Sequence, residues 1–410
     1  MTDAQLHRPS GQHRTGRGRT GTVSALRLLG KIVAAIVSAS LLVGAGYFRT
    51  SYTSLERGLH RVSVGGLGQP APVARGDTPK QVDGSAQNLL VIGDDDRSGL
   101  TPQEIETLHV GAASPTTSTD TLLLVHVPAN GAKATLISIP RDSYVAIPGF
   151  KNAKINAAYI DGAQYGTDGF PVTSSSSDAE KQAAGITLLI RVLKNLTGLR
   201  IDHYVLVNFL GFFHIAQAIK GVTVNLCHAV DDSRSGFVQS AGVHHLTPVQ
   251  ALEFVRQRHN LSDAQGHQLN DFGREARQRY FLAAAFNKIE TAGTLLNPSR
   301  LNGLIAAIKS TLTIDDGLSL TTLAHQMLDL TSGNIAGQTI PTEGSQMFPA
   351  PVGSALIVDP ATVQRQIQRW LHPSRAGPSS TPGGSTRTSS TSAAPSKSGS
   401  AAPAQHGCIN

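Results

Sequence analysis

The segment KATLISIPRDS, residues 133–143, joins an alternating apolar run to a proline, an arginine and an aspartate. Apolar residues at alternate positions, bounded by a proline, predict a half-buried β-strand. Two interpretations of its end are open. It is an ordinary polar strand terminus, or it is a platform that presents Arg141 and Asp142 to a charged ligand. The rest of the chain has to decide between them.

Similar runs recur along the chain, and helical patterns alternate with them. NLLVIG (88–93), TLLLVHV (121–127) and HYVLVN (203–208) predict further strands. DAEKQAAGITLLIRVLKNLTG (178–198) predicts an amphipathic helix, with acidic residues at its start and glycine at its end. The alternation predicts an α/β domain whose central sheet is covered by helices. More helices are expected over 155–164, 209–221, 299–330 and 358–371.

Composition divides the chain into five parts. A Ser/Thr/Pro/Gly tract such as the one after residue 373 cannot bury enough apolar surface to offset its ordering entropy. The predicted parts are a disordered basic cytoplasmic segment (1–25), a transmembrane helix (26–48), a stalk or linker (49–84), a folded extracytoplasmic domain (85–372) and a disordered tail (373–410).

The prediction of where the protein is located in the cell depends on the apolar run near the N-terminus. Residues 32–48 contain no charged side chain, and Arg27, Lys31 and Arg49 flank them. The positive-inside rule then predicts a single-pass protein of the cell membrane, with a cytoplasmic N-terminus and an extracytoplasmic domain. A cleaved signal peptide and a buried core helix are the alternatives.

Net charge and cysteine content narrow the choice of function only slightly. The 410 residues carry a formal net charge of +7, which suits nucleic acid, an anionic membrane surface or a phosphorylated substrate equally well. The two cysteines, Cys227 and Cys408, make no disulfide framework and no C-x-x-C metal site, and whether they pair is open. No H-E-x-x-H, G-x-S-x-G or Walker A motif occurs.

Charged residues collect where the predicted strands begin and end. GDDDR (93–97) closes the first strand, STDT (118–121) opens the second, and PRDS (140–143) closes the third. Each cluster alone is typical of a solvated turn or a strand cap. Because ligands of open α/β sheets bind beside strand ends, three clusters together indicate a site.

Two predicted helices supply more arginine. In LTPVQALEFVRQRH (246–259), Thr247 is the expected N-cap, and Arg256 and Arg258 lie near the far end. Residues two apart on a helix point about 200° apart, so both reach one ligand only if the helix ends near Arg256. The alternative is a pair of solvated arginines stabilised by the helix dipole.

The helix predicted over 270–289 carries arginine on its apolar face. Arg274 and Gln278 share that face with Phe281, and Arg277 lies close to the same side. Lys154, at the expected start of the helix after PRDS, opposes the helix dipole unless an anion is bound. Arginines bind phosphate in bidentate fashion, and neighbouring carboxylates suggest a hard divalent metal. These residues therefore suggest phosphoryl transfer from a pyrophosphate.

Taken in order, these stretches resemble the LytR-CpsA-Psr family of cell wall glycopolymer ligases, in an actinobacterial-like form. The resemblance implies a single α/β domain with a central mixed β-sheet flanked by helices, and makes 85–372 the catalytic domain. The matching stretches are NLLVIGDDDR, TDTLLLVHV, LISIPRDSYV, KINAAY, GLRIDHYVLVNFLGF, GVTVNL, LEFVRQRH and DFGREARQ.

The resemblance also implies the site. Asp95 and Asp120 look like contacts to Mg²⁺ or Mn²⁺. The expected catalytic residues are Arg141, Asp142, Arg256, Arg258, Arg274 and Gln278. The expected pyrophosphate-binding residues are Arg97, Arg141, Lys154, Arg256, Arg258, Arg274, Arg277 and Gln278. The chain departs from the family at Ser118, where an arginine is usual, at Arg279, and in an apparent insertion over 102–117.

The activity implied is transfer of a glycopolymer from a polyprenyl-pyrophosphate carrier to a muramic acid hydroxyl of peptidoglycan at the cytoplasmic membrane. Nucleic acid is not an expected partner. A pyrophosphatase acting on the same carrier-linked glycan and a non-enzymatic envelope regulator are the alternatives. Arabinogalactan and teichoic-type polymers are both candidate substrates, and Asp142 and Asp271 are both candidate proton acceptors.

Overall fold

The computed structural model describes nine stretches of the chain, all within the compact unit Leu55–Asn410. They are 60–68, 86–97, 100–111, 118–129, 134–259, 270–291, 312–318, 335–372 and 408–409. The predicted segments 1–25 and 26–48 lie outside these residues. Among the helices that are described, none has the length and apolar character needed to span a bilayer.

The described elements alternate along the chain as the sequence predicts. The strands are β1 (His60–Arg61), β2 (Gln87–Asp94), β3 (Thr119–Val127), β4 (Ala134–Ser138), β5 (Ser143–Val145), β6 (Ala153–Lys154), β7 (His203–Val207), β8 (Val222–Leu226), β9 (Val230–Asp232), β10 (Phe237–Gln239), β11 (Gly242–Leu246), β12 (Leu312–Ile314), β13 (Ile335–Thr339), β14 (Ser345–Phe348) and β15 (Gly353–Ile357). The helices are α1 (Pro102–Thr107), α2 (Ala157–Tyr165), α3 (Asp178–Thr197), α4 (Phe209–Ala218), α5 (Pro248–Arg256), α6 (Asn270–Thr291) and α7 (Pro360–Leu371).

The central sheet is mixed. Its described strands follow the order β1-β12-β7-β2-β3-β4-β13. β2, β3 and β4 are antiparallel neighbours, whereas β7 runs parallel to β2 and β13 parallel to β4. A four-stranded sheet, β14-β15-β5-β6, and the antiparallel ribbons β9/β10 and β8/β11 complete the β structure. The predicted α/β architecture with a central mixed sheet is confirmed.

One face of the central sheet packs on α2, α3 and α7. Leu90, Ile92, Leu124 and Ile137 point to this face and are fully buried or nearly so. Residues that alternate with them, such as Val91 and Leu123, therefore point to the other face. The largest helix of the layer, α3, begins with a capping box made by Ser177 and Glu180 and ends at a left-handed glycine, Gly198.

The opposite face is covered by α4, α5 and α6 together with the β8/β11 ribbon. A second apolar core, which includes Phe237, Phe254 and Phe281, holds these elements together. Thr247 caps α5 with the predicted capping box through Gln250. This second layer leaves space against the sheet, and the candidate site lies in that space.

Two element predictions are wrong in part. Within the expected stalk 49–84, β1 pairs with β12, and Val62 is buried. The backbone oxygen of Val62 accepts a 2.7 Å hydrogen bond from the hydroxyl of Tyr204. Residues 312–314, expected to be helical, form β12 of the central sheet. Both strands are too short to show periodicity, and long-range pairing stabilises them.

The end of the chain also departs from the prediction of a wholly disordered tail. Cys408 forms a disulfide with Cys227 across 181 residues of sequence. Ile409 pairs in parallel with Leu226 of β8, and its N–H donates a 2.8 Å hydrogen bond to the carbonyl of Asn225. The last residues therefore extend the β8/β11 ribbon, while 374–407 lie outside the described part of the chain.

Candidate active site

A cavity of about 470 Å³ lies between the central sheet and α4, α5 and α6. Its lining changes from polar to apolar along two elements. Along β2 and the turn that follows, Asp95 and Asp94 give way to Val91; along α6, Arg274 is followed by Phe281. Other apolar lining residues are Leu123, Val207, Phe209, Phe212, Leu252, Val255 and Leu282. The cavity is therefore amphipathic, with its charged part at the strand ends.

A β-bulge shapes the charged part. In the β2–β3 ladder Gly93 pairs with Thr121, but the next residue, Asp94, pairs with Thr119, so Asp120 has no partner opposite it. A bulge bends the strand and redirects the side chain of the extra residue. Asp120 lines the cavity as a result, even though Thr119 and Thr121 keep their places in the ladder.

Arg141 lies at the centre of the acidic cluster. Its Nη1 donates a 2.6 Å hydrogen bond to Oδ1 of Asp120, and its Nε lies 3.4 Å from Oδ2 of Asp271 and 3.9 Å from Oδ2 of Asp142. Burial alone would lower the pKa of Arg141, but the three carboxylates outweigh it and raise the pKa. Arg141 is thus a fixed cation at the cavity wall.

Asp271, in the first turn of α6, contacts three arginines. Besides Arg141, its Oδ1 lies 2.9 Å from Nε of Arg258, and its Oδ2 accepts a 2.9 Å hydrogen bond from Nη2 of Arg274. Arg274 also donates to the backbone oxygen of Asp120 at 2.9 Å. This one carboxylate therefore orients guanidinium groups from the end of β4, the end of α5 and α6 toward one space.

Helix α5 ends early enough for Arg256 and Arg258 to reach the same space. The helix stops at Arg256, and Gln257 has an extended backbone, so Arg256 and Arg258 both line the cavity. Arg256 donates to the backbone oxygens of Leu108 and His109, each at 3.1 Å. The apparent insertion thus holds a site arginine, and burial, followed by repulsion from Arg97, lowers the pKa of Arg256.

Arg97 occupies the same wall. It binds Asp95 in bidentate fashion, with two 2.7 Å hydrogen bonds, and it donates to the backbone oxygen of Gly111 at 2.9 Å. The guanidinium carbons of Arg97 and Arg256 lie 5.6 and 5.4 Å from the ring centroid of Phe209. One aromatic ring therefore holds two cations by cation–π contact.

The carboxylates fit a divalent cation shared with a substrate phosphate. Burial, reinforced by Asp96 and then by Asp95 and Asp120, raises the pKa of Asp94 to about 7, a sign of crowded negative charge. Within the described residues, no group of three or more His, Cys, Asp or Glu side chains could hold a metal by itself. Mg²⁺ commonly takes one or two carboxylates and completes its shell with water and substrate phosphates. Asp95 and Asp120 are compatible with that mode.

The structure places most of the predicted site residues around this cavity. They are Asp95, Arg97, Asp120, Arg141, Arg256, Arg258, Arg274 and Gln278. Asp142 and Lys154 do not line it; they contact each other at 3.0 Å beside Arg141. Lys154 belongs to β6 and precedes α2 by three residues, so the expected placement at a helix start is wrong.

Arg277 is, with Lys154, a predicted pyrophosphate ligand that does not line the cavity. It is fully buried, and its guanidinium carbon lies 4.8 Å from the ring centroid of Phe254 and 5.7 Å from that of Phe237. A helix turns about 100° per residue, so Arg277 faces the second core while Arg274 and Gln278 face the cavity. The prediction that Arg277 joins the other arginines at the pyrophosphate is therefore not met, because its side chain lies on the core side of the helix.

Several polar residues of the cavity were not predicted, among them Asp232, Arg234 and His259. Asp232 ends β9, Arg234 follows it, and His259 follows Arg258; all three line the cavity. The sequence shows the pair Asp231-Asp232 and, in the R-Q-R-H run, His259. No local pattern, however, indicates that the loops carrying these residues meet.

Comparisons with known proteins agree with this geometry. The model of the LytR_cpsA_psr family matches residues 69–365. Cell wall biosynthesis protein LcpA of Corynebacterium glutamicum is 36% identical over 266 residues, 62% of this chain and 50% of the relative. Polyisoprenyl-teichoic acid–peptidoglycan teichoic acid transferase TagU of Oceanobacillus iheyensis is 33% identical over 218 residues, 52% of this chain and 56% of the relative.

A solved structure shares the fold. The crystal structure of B. subtilis TagV superimposes with a TM-score of 0.50 at 22% identity, covering 70% of this chain and 96% of that one. The chain spans about half the length of the curated relatives it matches.

Proposed function

Because the chain belongs to the LytR-CpsA-Psr family, we propose that it is a phosphotransferase that attaches a glycopolymer from a polyprenyl-pyrophosphate carrier to peptidoglycan. The observation that carries the proposal is the amphipathic cavity. Its apolar part suits a prenyl chain, and its cluster of guanidinium groups suits a diphosphate. The name of the relative TagU describes the same class of reaction.

The arginines have a defined part in this reaction. Arg141, Arg258 and Arg274 are fixed by Asp271 before substrate arrives, so they need little reorganisation to bind the diphosphate oxygens. A hydroxyl oxygen of the acceptor forms a new bond to the phosphorus that carries the glycan. The bond from that phosphorus to the bridging oxygen breaks, and prenyl phosphate leaves with the electron pair. The arginines stabilise the charge that develops on this leaving group.

The proton of the attacking hydroxyl needs an acceptor near Arg141. Both oxygens of Asp271 contact arginines, whereas Asp142 contacts Lys154 through Oδ1 and approaches only Arg141, at 3.9 Å, through Oδ2. Asp142 does not line the cavity, but it adjoins Arg141, which does. We therefore propose Asp142 as the proton acceptor for a hydroxyl that approaches the phosphorus along Arg141, with Lys154 holding its carboxylate in place. Asp95 and Asp120 would hold Mg²⁺ or Mn²⁺, which would neutralise charge on the diphosphate.

The proposed location is the outer side of the cell membrane, with the apolar run at 32–48 as a single-pass anchor. The Cys227–Cys408 disulfide supports it, because disulfides persist in oxidising compartments and are rare in the cytosol. The carrier lipid would then be supplied from the same membrane.

The test is an assay with labelled lipid-linked glycan, with and without peptidoglycan, and with Mg²⁺ or a chelator. Label that moves to peptidoglycan, only when both peptidoglycan and metal are present, is the expected result. Release of labelled glycan phosphate at the same rate without peptidoglycan would instead identify a pyrophosphatase. Absence of both products, with an intact fold, would leave no transferase function for this cavity.

A further inference from the structure

A guanidinium and an imidazole meet at the exposed rim of the cavity. Nη1 of Arg234 lies 3.3 Å from Nε2 of His259, and both residues line the cavity. No carboxylate in the described part of the chain forms an ion pair with either side chain. Arg97, Arg141, Arg258 and Arg274 each contact a carboxylate, and Arg256 is held by two backbone oxygens. Arg234 and His259 therefore differ from the clamp described above.

A buried carboxylate brings the pair together. Asp232, which is 1% exposed, accepts hydrogen bonds from the backbone N–H groups of Arg234 and Ser235 at 3.1 and 3.4 Å. It also accepts from the N–H groups of Arg258 and His259, each at 3.2 Å. Asp232 thus joins the loop after β9 to the loop after α5. Its oxygens bind backbone only, so they fix the positions of the two side chains without neutralising them.

This arrangement favours an anion between the two groups. The guanidinium of Arg234 can only donate hydrogen bonds, so its Nη1 donates to Nε2 of His259. That nitrogen accepts only while the imidazole is neutral. An oxyanion placed between them would accept from both side chains, and charge-assisted hydrogen bonds of this kind are about twice as strong as neutral ones. Cations grouped at the mouth of a cleft also raise the local concentration of anions.

We propose that Arg234 and His259, positioned by Asp232, form a second oxyanion subsite that binds a phosphate or carboxylate group on the glycan of the donor. The inference rests on the proposed function, because it places this group beyond the diphosphate on the carrier-linked glycan. It goes further by naming the substrate class: a glycopolymer that is itself anionic near its linkage to the carrier. A neutral glycan would leave this subsite without a ligand.

The experiment uses the full chain and two synthetic donors, each a disaccharide on a short prenyl pyrophosphate. One disaccharide carries a uronic acid carboxylate and the other is neutral. We expect the wild type to bind the anionic donor about tenfold more tightly than the neutral one. Arg234→Ala/His259→Ala should remove this preference, because the affinity for the anionic donor falls more than the affinity for the neutral one. Arg369→Ala, which removes an exposed arginine of α7, is the matched control for net charge and should keep the preference.

The outcomes separate the two hypotheses. A preference that persists in the double variant, or an equal loss of affinity for both donors, would overturn the subsite. If the double variant instead binds a soluble anionic peptidoglycan fragment less tightly, the oxyanion subsite holds and the acceptor, not the donor, is its occupant. If the wild type binds neither donor, the proposed function fails. The carrier-free disaccharides then test the subsite alone, and equal affinities of the wild type for them would overturn it.

Discussion

Oδ1 of Asp120 lies 2.6 Å from Nη1 of Arg141, which joins the bulge of β3 to the end of β4. The two residues are 21 positions apart in the sequence: Asp120 belongs to β3, and Arg141 lies in the turn that follows β4, the antiparallel neighbour of β3. The contact fixes the guanidinium in the wall of the cavity. It is the shortest of the ion pairs that surround Arg141.

Replacement of Arg141 tests the clamp directly. Arg141→Ala should lower the rate of transfer by about 100-fold or more, because a preorganised donor to developing charge is lost. The fold should remain, since the side chain packs at a cavity wall and not in a core. A transfer assay and thermal unfolding, with Arg369→Ala as the control, provide the measurement. Full activity in Arg141→Ala would contradict the assignment.

Asp271 should influence geometry more than affinity. Asp271→Asn removes the negative charge that three arginines share, so the net positive charge facing the diphosphate increases. We expect at least about a tenfold loss of turnover with no loss of affinity for inorganic pyrophosphate. Steady-state kinetics and calorimetric titration measure the two quantities. A parallel fall in both would mean that Asp271 supports binding itself.

Variants of Arg274 and Arg277 test which of the two arginines binds the diphosphate. Burial lowers the pKa of Arg277 to about 9, and the three guanidinium nitrogens have no hydrogen-bond partner in the structure. Replacing such a residue by an apolar one of similar volume is often neutral or stabilising. Arg277→Met should keep the affinity for pyrophosphate and leave the free energy of unfolding unchanged or raise it. Arg274→Met should lose affinity; equal losses in both variants would restore Arg277 to the clamp.

The buried side chain of Glu275 should make the free energy of unfolding depend on pH. Burial, and next the charge of Asp271, raises the pKa of Glu275 to about 8. The folded protein therefore keeps a proton that the unfolded chain, with an ordinary glutamate, loses near pH 4.5. This contribution to stability is complete below pH 4.5 and is lost as the pH rises toward 8.

Glu275→Gln removes that titration. The variant and the wild type should be similar in stability at pH 5, and the variant should be more stable at pH 9 by a few kcal/mol, on the order of 1.4 kcal/mol per unit of pKa difference. Urea unfolding across this range measures it, with the exposed Glu106→Gln as the control. Parallel pH curves for Glu275→Gln and wild type would show that Glu275 is ionised in the folded state.

The disulfide should contribute substantially to stability. Cys227 and Cys408 are separated by 181 residues, and closing a long loop restricts the unfolded chain. Cys227→Ser/Cys408→Ser should lower the free energy of unfolding by about 2–4 kcal/mol. Reduction of the wild type should reproduce the effect, whereas reduction of the double variant should have none. Identical melting temperatures for oxidised wild type and double variant would refute the contribution.

Local sequence patterns predicted most of the helices and strands but not which strands pair with each other. The capping box at Thr247 follows from residues within one turn, so the sequence was sufficient for it, whereas the end of α5 at Arg256 came only from the structure. β1 and β12 were missed because strands of two and three residues show no periodicity and exist only through pairing. The disulfide was left open for a similar reason, since its two cysteines are brought together only by the strand that Ile409 adds to β8.

The sequence by itself determined the α/β class, the capped starts of two helices and the set of arginines and aspartates available for phosphate chemistry. Hydrophobic periodicity and caps act over a few residues, which is why they can be recognised in one dimension. Only the tertiary structure decided that Arg274 faces the cavity while Arg277 faces a core, and that Arg234 meets His259. Those choices depend on the rotation of a helix against its neighbours and on the meeting of distant loops at Asp232, which are fixed by long-range packing.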